Sequence, residues 1–147
     1  MSPRHNTVTE KDEQRAVVGL FRAVGATVYS MSQYRASHVA IGLPDLYVMH
    51  APRGLAWWFE CKRYEGMWRR DGEAVAYNPF DRSTWQAKPL APPQAVFADH
   101  CCAVGIRHFW GGLREAEEAL VELGLAVRAG NLGILLNPVA RGGEVAA

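Results

Sequence analysis

The chain has no apolar run near the roughly 18 residues that a bilayer-spanning helix needs. Its first residues show no positively charged stretch leading into an apolar core. Both absences lead to the expectation of a cytoplasmic protein with no membrane association. Cysteine is scarce: Cys61, Cys101 and Cys102 form an odd set with two members adjacent, which suits a reducing compartment and excludes a disulfide scaffold. His100 and His108 flank the adjacent pair, but no second Cys-x2-4-Cys or His-x3-5-His pair stands at ligand spacing, which argues against structural zinc. An excess of one charge is missing too. Sixteen Lys and Arg against 15 Asp and Glu leave +1, so any contact with nucleic acid has to come from local clusters.

What is present is an ordinary globular balance, 49% hydrophobic and 21% charged over 147 residues, the size of a single domain with one core. From Thr9 to Val24, Val17, Leu20, Phe21 and Val24 recur at three and four, with Thr9 as N-cap and Gly25 as the stop, which predicts an amphipathic helix. Extending its apolar stripe backwards reaches Glu13 and then Glu10, at the edge of the face that meets the fold. The plainer alternative is that both are solvated first-turn acids favoured by the helix dipole.

Residues 26–31 (ATVYSM) are β-prone, and the polar stretch 32–38 carries Arg35 and His38. Residues 43–49 (LPDLYVM) read as a strand opening at Pro44, 51–54 (APRG) as a turn, and 55–61 (LAWWFEC) as a second strand. Residues 63–93 show no sustained period and read as a long loop, with a small strand at 74–77. A helix over 94–104, a strand over 106–110 and a helix over 113–123 follow. Two short apolar pieces, 125–127 and 134–136, flank a turn at Gly130-Asn131, and the tail from Pro138 is expected to fray. The order predicts an α/β fold in which a mixed sheet is layered with helices. Trp57 and Trp58, at alternating strand positions, are expected in core and sheet cover, and Cys101 and Cys102 as small buried hydrophobes.

The chemistry-bearing feature is Asp45 at the start of one strand and Glu60-Cys61-Lys62 at the end of the next. In an antiparallel pair joined around residues 51–54 these ends are neighbours, and Glu60 and Lys62 share a face about 7 Å apart along the strand. Two carboxylates and an ammonium converging there suit a hard divalent cation, Mg²⁺ or Mn²⁺, acting on a phosphate. A surface ion pair closing the hairpin end is the plain alternative.

In combination, GLPDL (42–46), WFECK (58–62), Pro93-Gln94 opening a helix that ends in Ala103-Val104-Gly105, and Glu10 four before Gln14 resemble the PD-(D/E)xK nuclease superfamily, and within it the small stand-alone, phage-type VRR-NUC branch. The likeness covers about residues 8–112, with 63–93 as an insertion longer than usual and 113–147 as an extension of one nuclease domain, 1–147. It implies a restriction-endonuclease-like αβββαβ core, like that of Holliday-junction resolvases. The implied activity is Mg²⁺- or Mn²⁺-dependent hydrolysis of DNA, at branched or flapped structures in some relatives. It implies a homodimer and no organic cofactor. Asp45, Glu60 and the backbone carbonyl of Cys61 would be metal ligands and Lys62 the catalytic lysine. Glu10 would be the helix-borne acid, with Glu13 as the competing choice, and Gln94 would sit at the site's edge. For DNA, Arg35, His38, Arg63, Arg69, Arg70 and Lys88 are candidate contacts, joined in the inserted segment by Arg82, Trp68, Tyr77 and Trp85. That segment is equally suited to a flap or a dimer contact. A silent nucleic-acid-binding or dimerisation module with the same fold is the alternative function.

Overall fold

Helix α1 (Glu10–Ala23) begins where Thr9 closes a capping box: its hydroxyl accepts from Asp12 N at 3.2 Å, while Asp12 Oδ2 accepts from Thr9 N at 3.0 Å. The computed structural model describes the backbone of residues 5–7, 9–31, 42–65, 68–70, 73–74, 85–130 and 133–137, and the side chains of 9–31, 42–65, 85–130 and 133–137. Arg35, His38, Tyr77, Arg82 and the tail from Pro138 lie outside the described residues, as do the side chains of Trp68, Arg69 and Arg70.

After α1 come β2 (Thr27–Ser30), β3 (Leu46–His50), a single 3-10 turn (Ala51–Arg53) and β4 (Leu55–Cys61). Helix α2 (Pro92–Val104), β7 (His108–Gly111) and α3 (Leu113–Glu122) follow. The central sheet runs β2-β3-β4-β7, with β3 antiparallel to both neighbours and β4 parallel to β7, so the fold is α/β with a mixed four-stranded sheet. A parallel neighbour requires a crossover, and α2 supplies it.

Helices α1 and α3 share one face. Val17, Phe21, Leu46, Val48, Trp57, Phe59, Ala116 and Leu120 are buried there, and Phe21 meets the rings of Trp57 and Phe59 edge-on, each at 5.4 Å. Helix α2 covers part of the other face, where Phe97 packs on Trp58 and His108 at 5.5 and 6.0 Å. Alternation along β4 therefore sends Trp57 to the core and Trp58 to the α2 side, as expected of sheet residues.

Several expectations are corrected. β3 begins at Leu46, leaving Pro44 and Asp45 as the connection into it, and α2 starts two residues early because Pro92 and Pro93 fit its first turn. The segment read as one loop contains β5 (Trp68–Arg70) and β6 (Glu73–Ala74), and β5 pairs with an unexpected β1 (His5–Thr7). The predicted strand at 74–77 is seen only as β6, and residues 75–77 lie outside the described residues. The ends of the segment are tied together: Lys88 N donates to Arg63 O at 2.9 Å and Glu65 N to Gln86 O at 2.7 Å. The two late apolar pieces form a hairpin of β8 (Ala126–Arg128) and β9 (Ile134–Leu136). Cys101 is buried but Cys102 is exposed, because adjacent helical positions face about 100° apart. Among the described residues, no helix is long and apolar enough to cross a membrane.

Candidate active site

The antiparallel register pairs Leu46 with Phe59, which sets Asp45 opposite Glu60 one step further. The two residues grip each other through backbone amides: Asp45 N donates to Glu60 Oε2 at 3.1 Å, and Cys61 N donates to Asp45 Oδ2 at 3.0 Å. Lys62 is buried beside them, its Nζ 3.8 Å from Glu60 Oε1, and its backbone N donates to Gly111 O at 2.8 Å, tying the end of β4 to β7. Asp45, Glu60 and Lys62 thus meet, as the hairpin pattern leads one to expect.

Gln94, expected at the site's edge, bonds the carboxylate of Glu60 directly. From the first turn of α2 its Nε2 donates to Glu60 Oε1 at 2.7 Å, while its Oε1 accepts from Ala91 N at 2.8 Å. The side chain is fixed at both ends and holds the carboxylate. The close approach of α2 depends on Gly42, which has φ of +91°; a Cβ there would lie 2.4 Å from Pro93 O.

Electrostatically the site is short of positive charge. Burial, then the charge of Asp45, push the Glu60 carboxyl up from 4.5 to about 8 despite Lys62. Burial likewise raises Asp45, against the hydrogen bond from Cys61 N. Glu10, exposed on the first turn of α1, adds a third negative charge that acts on both. Burial pushes the Cys61 thiol upward as well, so it stays protonated.

Glu13 has a different place. It is buried, and its Oε2 accepts from Leu113 N at 3.0 Å, which puts a carboxylate on the N-terminus of α3. The first-turn residue Glu13 is therefore not a solvated acid, and it is the charge of Glu10 that acts on Asp45 and Glu60.

The donor set fits a hydrated Mg²⁺ or Mn²⁺: two hard, mutually repelling carboxylates that a cation would relieve, for an ion that keeps several waters and takes one or two carboxylates. It does not form a closed cage, since among the described residues no group of three or more His, Cys, Asp or Glu side chains is gathered to hold a metal. Arg63, half-buried, and Lys88, exposed, are brought together by their backbone bond directly after Lys62.

Sequence reasoning missed Tyr64, which is 1% exposed; its hydroxyl accepts from Arg114 N at 2.8 Å and donates to Glu115 Oε2 at 3.0 Å. It also missed Trp110, paired in register with Glu60 on β7. A large aromatic ending a short strand was the only signal for Trp110. No family model, curated protein or solved structure matches the chain.

Proposed function

We propose that the chain is a Mg²⁺- or Mn²⁺-dependent DNA endonuclease of the PD-(D/E)xK type, close to the VRR-NUC branch. The observation that carries this reading is the mutual grip of Asp45 and Glu60, a half-buried and a buried carboxylate held against their own repulsion beside Lys62. Unpaired buried charge is costly, and a pair kept this way suits a ligand more than a fold. The order α1-β2-β3-β4-α2-β7 supports a restriction-endonuclease-like αβββαβ core.

Asp45, Glu60 and the Cys61 carbonyl would hold the ion, with Glu10 reaching it directly or through water. When bound, the ion lowers the pKa of a coordinated water and offsets charge on the phosphate. Lys62 orients the attacking water and stabilises the charge that builds on the phosphoryl oxygens. Gln94 keeps Glu60 in its ligating orientation. Arg63 and Lys88 bind flanking phosphates, and Arg35, His38, Arg69 and Arg70 are proposed as further DNA contacts. A homodimer belongs to the proposal, since a two-fold axis would present two sites to two strands.

The test is incubation with linear, flapped and branched DNA and either ion. Wild-type protein cuts, and Lys62→Ala and Asp45→Asn each lower the rate by about a hundredfold or more. Cleavage that survives both substitutions overturns the assignment. Tight metal-independent binding with no cut product favours the silent binding module.

A further inference from the structure

Beside the carboxylates, one strand over, lies a groove of about 620 Å³ walled by Trp85, Trp110, Pro89, Arg114, Glu65 and Glu115. Its volume is that of a small-molecule site. The parallel register pairs Trp58 with His108 and Glu60 with Trp110, and paired residues on neighbouring strands point to one face. Trp110 therefore stands next to Glu60 on the same side of the sheet, and at 37% exposure it is left open where a strand aromatic would ordinarily be covered.

The opposite wall is anchored. The Trp85 carbonyl accepts from Arg114 Nη1 at 2.6 Å, its ring packs on buried Tyr64 with centroids 5.2 Å apart, and the Glu65–Gln86 backbone bond fixes the chain on either side. Tyr64 is in turn held by α3 through Arg114 N and Glu115. The charge pattern says what such a groove takes. Arg114 is met by Glu115 at 3.0 and 3.3 Å, and Glu65 adds a second carboxylate, so the groove has no cation to spare for a phosphate. Its ligand is a neutral π surface with groups that can donate to carboxylates, which describes a nucleobase and not a backbone.

Resting on the nuclease reading above, we infer that the Trp110–Trp85 groove is a stacking subsite for one unpaired nucleobase adjoining the scissile phosphate. The substrate class is then DNA with unpaired nucleotides next to the cut, because a base inside a duplex cannot offer its face. Arg114 is a positioning residue that holds Trp85 in place.

Binding measured by fluorescence anisotropy without divalent ion tests this apart from catalysis. The probes are a fully paired duplex and the same duplex interrupted by three unpaired nucleotides. Trp110→Ala weakens binding of the interrupted duplex by about 5- to 100-fold, the range that base–aromatic stacking supplies, and Trp110→Phe restores most of it. Binding of the paired duplex changes by less than about twofold. Equal loss on both probes, or no loss on either, overturns the subsite. Photocrosslinking of wild-type protein to 5-iodouracil at the unpaired position gives an answer even if the variants fold poorly: an adduct on Trp110 or Trp85 supports the subsite, and an adduct confined to other residues refutes it. Cleavage that needs Asp45 and Lys62 but ignores Trp110 in choosing substrates sinks the subsite and leaves the nuclease standing. Trp110-dependent binding with no cleavage under either ion does the reverse.

Discussion

Gln94 Nε2 lies 2.7 Å from Glu60 Oε1, a bond between the first turn of α2 and the last residues of β4 that spans 34 positions of sequence. The same Oε1 faces Lys62 Nζ at 3.8 Å, so an amide and an ammonium share one carboxylate oxygen while Asp45 N occupies the other. The orientation of the Glu60 carboxylate is thus set by a side chain from another element.

Replacing that neighbour tests the arrangement. Gln94→Leu removes the donor while keeping the volume, and partners that orient metal ligands are worth about 10–100-fold in metal affinity or activity. A Mn²⁺ titration of the cleavage rate is expected to shift to higher concentration by that factor. An unchanged midpoint would mean that Glu60 keeps its orientation without Gln94.

The pH dependence of stability follows from burial. Glu60 is raised to about 8 from 4.5, and Asp45 is raised with it. A carboxylate whose folded pKa exceeds its unfolded value contributes stability that is complete below the unfolded pKa and is lost as pH rises through the folded one. Metal-free protein is therefore expected to melt at progressively lower temperature between about pH 4.5 and 8, levelling off above that, and Glu60→Gln to flatten that slope. Saturating Mn²⁺ should flatten it too. His108 acts in the opposite sense: burial lowers its pKa from 6.5, so its contribution is complete above that unfolded value and is lost as pH falls through the folded one. Thermal melts across pH, with chelator and with Mn²⁺, check both.

The two first-turn glutamates should separate in function. Glu13 accepts from Leu113 N at 3.0 Å, and losing a buried charged acceptor there costs about 1–3 kcal/mol, so Glu13→Ala lowers the melting temperature. Glu10 is exposed, and Glu10→Gln is expected to leave stability within about 0.5 kcal/mol while slowing cleavage. Denaturant unfolding beside rate measurements distinguishes them. The reverse pattern would reassign the helix-borne acid to Glu13.

Gly42 connects backbone geometry to the site. Gly42→Ala would set a Cβ 2.4 Å from Pro93 O at φ of +91°, so the start of α2 must move and Gln94 with it. Strain of this kind costs about 1–3 kcal/mol. Chemical denaturation and a cleavage assay should both register the change, activity more strongly than stability. Wild-type activity in this variant would refute the link between α2 and Glu60.

The parts that were legible in the sequence are those set locally or by an alternating pattern. Strand β4 was readable to the residue because a turn with a left-handed Gly54 precedes an apolar run that ends in charge, and α1 because Thr9 caps it and Gly25 stops it. The meeting of Asp45 and Glu60 followed from one hairpin register. What escaped depends on distant partners. The polar strand β1 has no periodicity of its own and exists through pairing with β5. Glu13 caps a helix 100 positions away, and Gln94 turns inward because α2 docks against Gly42, which no local pattern encodes. Trp110 became informative only when the parallel register of β7 put it beside Glu60.

The central claim is that Asp45 and Glu60 hold a divalent ion. Anomalous diffraction from crystals soaked in Mn²⁺ tests it most directly. A peak is expected about 2.1 Å from a carboxylate oxygen of each residue, with the Cys61 carbonyl and waters completing the shell. That peak should be lost in Asp45→Asn. A saturated crystal with no peak between these two carboxylates, or with manganese bound only elsewhere, would contradict it.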